Sequence, residues 1–294
     1  MTPETPGDPS QPADGLQFVQ LTESHRFDGE LAELLTQFQY REDEITLTAA
    51  NPRPLPATRI ESPTAGVDAV FEGGSSLVFV CYDDRTHTMV NPIETALIET
   101  LTAAIRHVPQ PHPDGVVGPL GEEPTVVDDN AQPTNELTET YIDEPLTMGV
   151  VTPHNAQRGA LETALPDSVT ANTVEKYQGG QRDIIAVSAT VSDPQFARQE
   201  DRFILNPRRL LVAISRSKLL TIVVCSSALF EVVPQDSKGL ADGPIWARLF
   251  TQAVGRDVQP AWEGSLGAFV GDEATEYASV PVQVHPSTIG GDPT

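Results

Sequence analysis

NTVEKYQGGQRDIIAVSAT (172–190) and, after a short gap, LNPRRLLVAISRSKLLTIVV (205–224) are the two stretches whose reading decides the fold of this chain. In the first, a Gln-Gly-Gly turn leads into the continuous apolar run Asp183–Thr190, the pattern of a strand buried on both faces. The turn places Gln178, Gln181, Arg182 and Asp183 at one sheet edge, where open α/β folds bind ligands. Gly179 and Gly180 there let a backbone approach a phosphate or sugar closely. In the second stretch, Pro207 starts a helix on which Arg209, Val212, Ala213 and Arg216 lie along one side. Arg216 then projects near the helix end, where a guanidinium can reach across a cleft to a transferring phosphate. On these residues alone, surface arginines pairing with carboxylates are the preferred explanation.

Outward from this segment the same alternation continues. MGVVT (148–152), SVTAN (168–172), DIIAVSAT (183–190) and LLTIVVCS (219–226) are β-rich, and residues 154–165 and 206–217 suit helices. Upstream, Ser76–Tyr82 is a short apolar run followed by Asn91–His107 with its Asn-Pro helix start. Leu31, Leu34, Leu35 and Phe38 recur at helical spacing behind Asp28, predicting a helix to about Tyr40. The alternation predicts an α/β fold with a parallel sheet and helices on its faces. Residues 50–73 read as Pro-rich and irregular. Pro109–Glu144 is too poor in large apolar residues to offset the entropy of ordering, and predicts a flexible acidic insertion. The first fifteen residues read as a disordered tail or a cut end. After Val233 only Pro244–Val254 keeps a helical period, and AFVGDEAT (268–275) reads as an acidic loop.

The net charge is −24, and only Lys176, Lys218 and Lys238 are lysines. Because the acidic excess runs along the whole chain, a salt-rich cytoplasm is favoured over acidic tails: dense carboxylates hold water, and molar salt screens their repulsion. Such a charge argues against a phosphate-backbone ligand unless arginines cluster, and Arg198, Arg202, Arg208, Arg209 and Arg216 do cluster. Cys81 and Cys225 each sit in an apolar run as buried hydrophobes, with no disulfide or metal spacing. The six histidines show no ligand spacing, and Trp246 and Trp262 read as packing residues. No window has the length of apolar sequence that spans a membrane, which predicts a soluble cytoplasmic protein.

The two opening stretches resemble motifs V and VI of superfamily 1B helicases, the group of RNA-decay and Okazaki-fragment-processing helicases, whose usual forms are about "TVDxFQGxExDxVIxS" and "DPRRLNVAxTRAK". GVVTPHNAQRGAL (149–161) resembles the family's "GVITPYxxQxxxL", NPIETALIETL (91–101) its "NxxEAxxVxxxL" helix, and LTESHRFDGELAELLTQFQYREDEI (21–45) its motif IV. The resemblance covers about residues 17–226 and implies a RecA-like sheet of P-loop NTPase type, the second motor domain, over 17–232 with an insertion at 109–147. Residues 1–16 stand outside it as a tail or the end of a motif III region, echoed in GDPSQ (7–11), and residues 233–294 as a partly disordered C-terminal extension.

By the same resemblance, Arg216 and Arg26 reach the γ-phosphate, a role worth several orders of magnitude in rate where arginine fingers have been tested. Gly179, Gly180, Gln181 and Arg209 take nucleotide-binding positions, while Thr152, Gln157 and Thr173 face the nucleic-acid strand. Thr152 and Gln157 read equally well as a helix cap and a solvent-facing side chain. Two positions depart from the pattern: Ser24 replaces a Gln in motif IV, and Gln181 replaces a Glu in motif V. No G-x-x-x-x-G-K-[ST] occurs in the 294 residues, so the lysine and hydroxyl that hold ATP with Mg²⁺ are missing from them. The expectation is one wall of a motor that binds ATP with Mg²⁺ jointly with a separate P-loop subunit and moves single-stranded DNA or RNA. The alternative is a non-catalytic strand- or protein-binding module.

Overall fold

The computed structural model describes residues 23–24, 29–37, 46–49, 55–56, 59–105, 146–174, 176–177, 181–200, 207–233, 245–255 and 258–289. Two short parallel strands, β1 (Glu23–Ser24) and β2 (Thr48–Ala49), flank helix α1 (Gly29–Leu35). Helix α2 (Ala65–Phe71), strand β3 (Leu77–Tyr82) and helix α3 (Pro92–Ala103) follow. Next come β4 (Met148–Thr152), α4 (Asn155–Ala164), β5 (Thr170–Thr173) and β6 (Arg182–Ser188). After them stand α5 (Pro194–Gln199), α6 (Pro207–Ile214) and β7 (Ser217–Ser226). A 3-10 turn over Ser227–Glu231 precedes α7 (Ile245–Ala253), β8 (Trp262–Ser265), α8 (Leu266–Val270) and β9 (Pro281–Pro286).

Seven strands form one sheet in the order β5-β4-β6-β7-β3-β9-β8. The first five are parallel, and β9 and β8 add an antiparallel edge. Every residue of β3 and β4 is buried, as expected of parallel strands covered on both faces. Alternate side chains divide between two cores. Leu77, Phe79 and Cys81 meet α1, α6 and α7 on one face, while Val78, Val80 and Tyr82 meet α2, α3 and α4 on the other. The fold is therefore the three-layer RecA-like α/β arrangement that the alternating pattern predicts, and both cysteines are buried and free. Among the described residues no helix is long and apolar enough to cross a membrane.

Local chemistry sets the helix starts. Asn91 caps α3 by accepting from the N–H groups of Ile93 and Glu94, with Pro92 in the first turn. Asp193 and Pro194 do the same for α5. The stretch read as irregular, 50–73, contains α2, started by the Thr64 hydroxyl and packed so tightly at Gly66 that a Cβ would stand 2.7 Å from the Phe269 ring. Its helix rests on that distant aromatic contact, which local periodicity does not carry. The expected insertion ends earlier than residue 147, because Leu146 is buried and the Thr147 N–H donates to the Asp183 carboxylate at 2.8 Å. Residues 1–16 lie outside the described residues.

The largest difference concerns residues 233–294. β9 hydrogen-bonds in antiparallel register to β3, Val80 opposite Val284, and Ser287 N–H donates to the Leu77 carbonyl at 2.8 Å. α7 lies in the same core as α1 and α6, and the acidic stretch 268–275 begins inside α8 before Gly271 ends it in the left-handed conformation. This segment completes the sheet. Val284 is fully buried, so Val284→Ala is expected to lower the unfolding free energy of the whole domain by about 2 kcal/mol, seen as a lower urea midpoint. An unchanged midpoint means that the segment folds apart from the sheet.

Candidate functional site

Parallel strands bring their first residues together at one edge. Arg182 and Ser217 are register partners, and the Arg182 N–H donates to the Arg216 carbonyl at 3.3 Å. Gln181 is half-buried just before β6, and its carbonyl accepts from Arg182 Nη1 at 2.8 Å. The buried Asp183 carboxylate accepts from the Thr147 N–H and hydroxyl at 2.8 and 2.7 Å and from Lys218 Nζ at 3.3 Å. Helix α1 is fastened to the same edge, where one oxygen of Glu30 accepts from the Ser76 N–H at 2.7 Å and from the hydroxyls of Ser75 and Ser76 at 2.9 Å each. Arg26, Gly179 and Gly180 lie outside the described residues. Gln181, Arg182 and Asp183 thus stand at the amino ends of the strands, not at the carboxyl ends where open sheets usually bind ligands, because their turn enters β6 rather than leaving it.

The carboxyl edge gathers a different set. Thr152 and Thr173, the last residues of β4 and β5, are register partners. Both are buried, and the Thr152 hydroxyl meets that of Thr190 at 2.9 Å. Arg209, on the first turn of α6, borders a small hollow together with Thr152, Val174, Ala189 and Trp246. The motif VI segment therefore runs from one edge to the other: Arg209, which the resemblance put at a nucleotide position, lies with Thr152 at the carboxyl edge, and Arg216, in the turn after α6, has its carbonyl bonded to Arg182 at the amino edge. Gln157 is fully buried and occupied within the fold, its Oε1 accepting from the Asn91 N–H at 2.8 Å and its Nε2 donating to the Asn91 carbonyl at 3.3 Å and the Ser188 hydroxyl at 3.4 Å.

A profile described as an AAA domain matches residues 127–228, which hold β4 to β7 and both edges. Residues of this chain are 30% identical over 105 residues to the DNA replication ATP-dependent helicase/nuclease JHS1 of Arabidopsis thaliana, covering 35% of the chain and 8% of that protein. They are 33% identical over 133 residues to the regulator of nonsense transcripts 1 homolog of Drosophila melanogaster, covering 42% and 10%. The putative helicase MOV-10 of Gallus gallus is 30% identical over 106 residues, 31% of the chain and 11% of that protein. Over these stretches the chain is similar to superfamily 1B helicases. It spans only about a tenth of the length of the relatives it matches.

Two features of this domain escape the sequence reading. First, Tyr177 of the motif V loop folds back over β4, its hydroxyl donating to the Thr170 carbonyl at 3.4 Å. Burial pushes its pKa up to about 12, with Arg182 pulling the other way. The close approach requires a glycine at 149, where a Cβ would stand 1.6 Å from the Tyr177 hydroxyl. Gly149→Ala is expected to destabilise the domain by about 1–3 kcal/mol, and Gly149→Ala combined with Tyr177→Phe to recover part of that in thermal unfolding. Additive losses mean that the loop is held by something else.

Second, a buried polar network ties α3, β3, β4 and β6 together at the carboxyl edge. Glu94, with no exposed surface, accepts from Tyr82 Oη at 2.8 Å, Ser188 Oγ at 2.5 Å and Thr190 N–H at 2.8 Å. Asn91 Nδ2 donates to the Tyr82 oxygen at 2.6 Å and to the Thr190 carbonyl at 2.8 Å. Burial raises the Glu94 carboxyl to about 7 against the pull of these donors, and burial followed by the Glu94 charge pushes the Tyr82 phenol well up. Nearby, Asp84 is likewise pushed up by burial, but donors on Ser192, Thr86 and His87 outweigh it and hold Asp84 at about 2. A raised folded pKa means stability that is complete below the ordinary value of 4.5 and lost as pH rises through about 7. Asp84 acts in the opposite sense and at lower pH, its contribution present above 3.8 and lost towards 2. The urea midpoint is therefore expected to fall between about pH 5 and pH 8 with a component that Glu94→Gln removes; an identical slope in the variant rules out Glu94 as its source.

Proposed function

We propose that this chain forms the second wall of an ATP-dependent helicase motor, with the nucleotide at the amino edge of the sheet and a single strand of DNA or RNA across the carboxyl edge. The observation that supports this reading is the sorting of the motif residues by α6 and the turn after it, with the Arg216 backbone bonded to Arg182 at one edge and Arg209 beside Thr152 and Val174 at the other. In such a motor ATP with Mg²⁺ sits between this wall and a P-loop domain. Arg216, with Arg26 by its match to motif IV, stabilises charge on the γ-phosphate as the cleft closes. By the resemblance, the P-loop domain holds the Mg²⁺. Arg209 and the rim around Thr173 meet the phosphate backbone, while Thr152 and Gln157 support that rim from beneath. Residues that fill the P-loop role belong to another domain, on the same polypeptide or a separate subunit.

A second reading, a strand- or protein-binding module without turnover, draws on Gln181 and Ser24 standing where the family pattern has Glu and Gln. ATP hydrolysis and oligonucleotide binding, measured in molar KCl with oligo(dT) and oligo(rU), separate the two. The chain alone is expected to bind strands without turning over ATP, to lose about tenfold in affinity on Arg209→Ala, and to gain Arg216-dependent hydrolysis when a P-loop helicase domain is added. Turnover by the chain alone that Arg216→Ala abolishes would sink the half-motor reading. Added P-loop domain without any hydrolysis favours the binding module.

A further inference from the structure

The network around Glu94 contains a strained residue that neither motif accounts for. Thr190 is the one described residue other than glycine with positive φ, at 68°. A β-branched side chain resists that conformation, so it persists only where its surroundings hold it. Three contacts do so: Glu94 Oε2 takes the Thr190 N–H at 2.8 Å, Asn91 Nδ2 takes its carbonyl at 2.8 Å, and the Ser188 hydroxyl, itself donating to Glu94, lies 3.3 Å from the Thr190 hydroxyl. The left-handed turn points the Thr190 hydroxyl at Thr152, 2.9 Å away, where β4 ends under the hollow bordered by Arg209. Gln157 reaches Ser188 and Asn91 from α4. The two residues that the motif resemblance aims at the strand, Thr152 and Gln157, therefore both rest on groups held by Glu94.

We propose that Glu94 is a positioning residue for the strand-binding edge, its carboxylate clamping Thr190 in the left-handed conformation so that Thr190 seats Thr152 beneath the rim. This rests on the reading of the carboxyl edge as the strand face. The ionised carboxylate accepts all three donors at once. A protonated one has to turn its own donor towards the Tyr82 or the Ser188 hydroxyl, so one of the two hydroxyls can no longer donate to it. Strand affinity should then rise as Glu94 ionises, near pH 7 where burial has moved it. Among the described residues the titratable groups that act on this carboxyl or its partners are Tyr82, Cys225 and Asp84. Tyr82 and Cys225 are pushed upward and stay neutral there, and Asp84 is ionised throughout. His154, at the start of α4, has its pKa lowered by burial, and His87 holds Asp84 at 2.8 Å; these are the two nearby imidazoles, among the described residues, that the test must separate from Glu94.

The test is fluorescence anisotropy of labelled oligo(dT) with the full chain between about pH 6 and pH 8, together with thermal unfolding of each variant. The wild-type chain is expected to bind about threefold or more tightly at the upper pH. Glu94→Gln keeps one acceptor oxygen for Thr190 and is expected to bind with a flat profile, whereas Glu94→Leu loses about tenfold at every pH. Should Glu94→Leu fail to fold, the comparison of wild type with Glu94→Gln decides alone. A wild-type profile without slope, or the same slope in Glu94→Gln, overturns the proposal, the latter pointing to an imidazole, His87 or His154. Arg209→Ala separates the two layers of the argument: if it leaves affinity unchanged, the strand face itself is misplaced. If it weakens binding while the Glu94 variants match wild type, only the positioning role fails.

Discussion

The pairing of β3 with β7 holds together segments that are far apart in the chain. Leu77 to Tyr82 lie in unbroken parallel register with Thr221 to Ser226, and β9 closes on the other side of β3. The sheet centre is thus assembled from residues 77–82, 217–226 and 281–286, and each core face draws helices from both halves of the chain. Hydrogen bonds between fully buried parallel strands have no water to replace them, so neither half can leave without stranding the backbone of the other. This is why the region between the two halves can carry a long acidic segment without dividing the domain.

A parallel sheet also has two chemically distinct ends, and this fold keeps them apart. Residues that precede a strand collect at the amino edge, those that follow it at the carboxyl edge, and a helix joining two strands must cross between them. α6 makes that crossing with an arginine near each end. On the proposed reading, a short helix links phosphate chemistry at one edge to strand contact at the other, a geometry suited to coupling closure of a nucleotide cleft to movement of a strand. A net charge of −24 makes that concentration of arginines along one helix a local exception, and local positive charge is what a phosphate backbone meets first.

The polar network at the carboxyl edge comes at a cost in stability that an apolar core would avoid. Burying Glu94 without a cation raises its pKa, and holding Thr190 at φ 68° stores backbone strain. What the arrangement supplies in return is definition: every donor around the carboxylate points to one acceptor, and the ends of β3, β4 and β6 adopt one relative placement.

Strands β4, β6 and β7 and helices α3, α4 and α6 can be read from the sequence because their signals are local: unbroken apolar runs, Asn-Pro at a helix start, and arginines at helical spacing. The motif residues carry the family resemblance for the same reason, since a short motif is a statement about neighbours in sequence. Helix α2 and strand β9 cannot be read this way. Gly66 is helical because Trp262 and Phe269 close over it, and Pro281–Pro286 is a strand because β3 offers an edge to pair with. Nor does any pattern reveal that Gly149 makes room for Tyr177, that Arg209 and Arg216 part to opposite edges, or that Gln157 turns inward to Asn91. The residue types and the order of the elements follow from the sequence alone. Which edge each side chain reaches, and which of them are buried against one another, is settled only when strands distant in the chain come into register, because burial and backbone hydrogen bonding are properties of the assembled sheet.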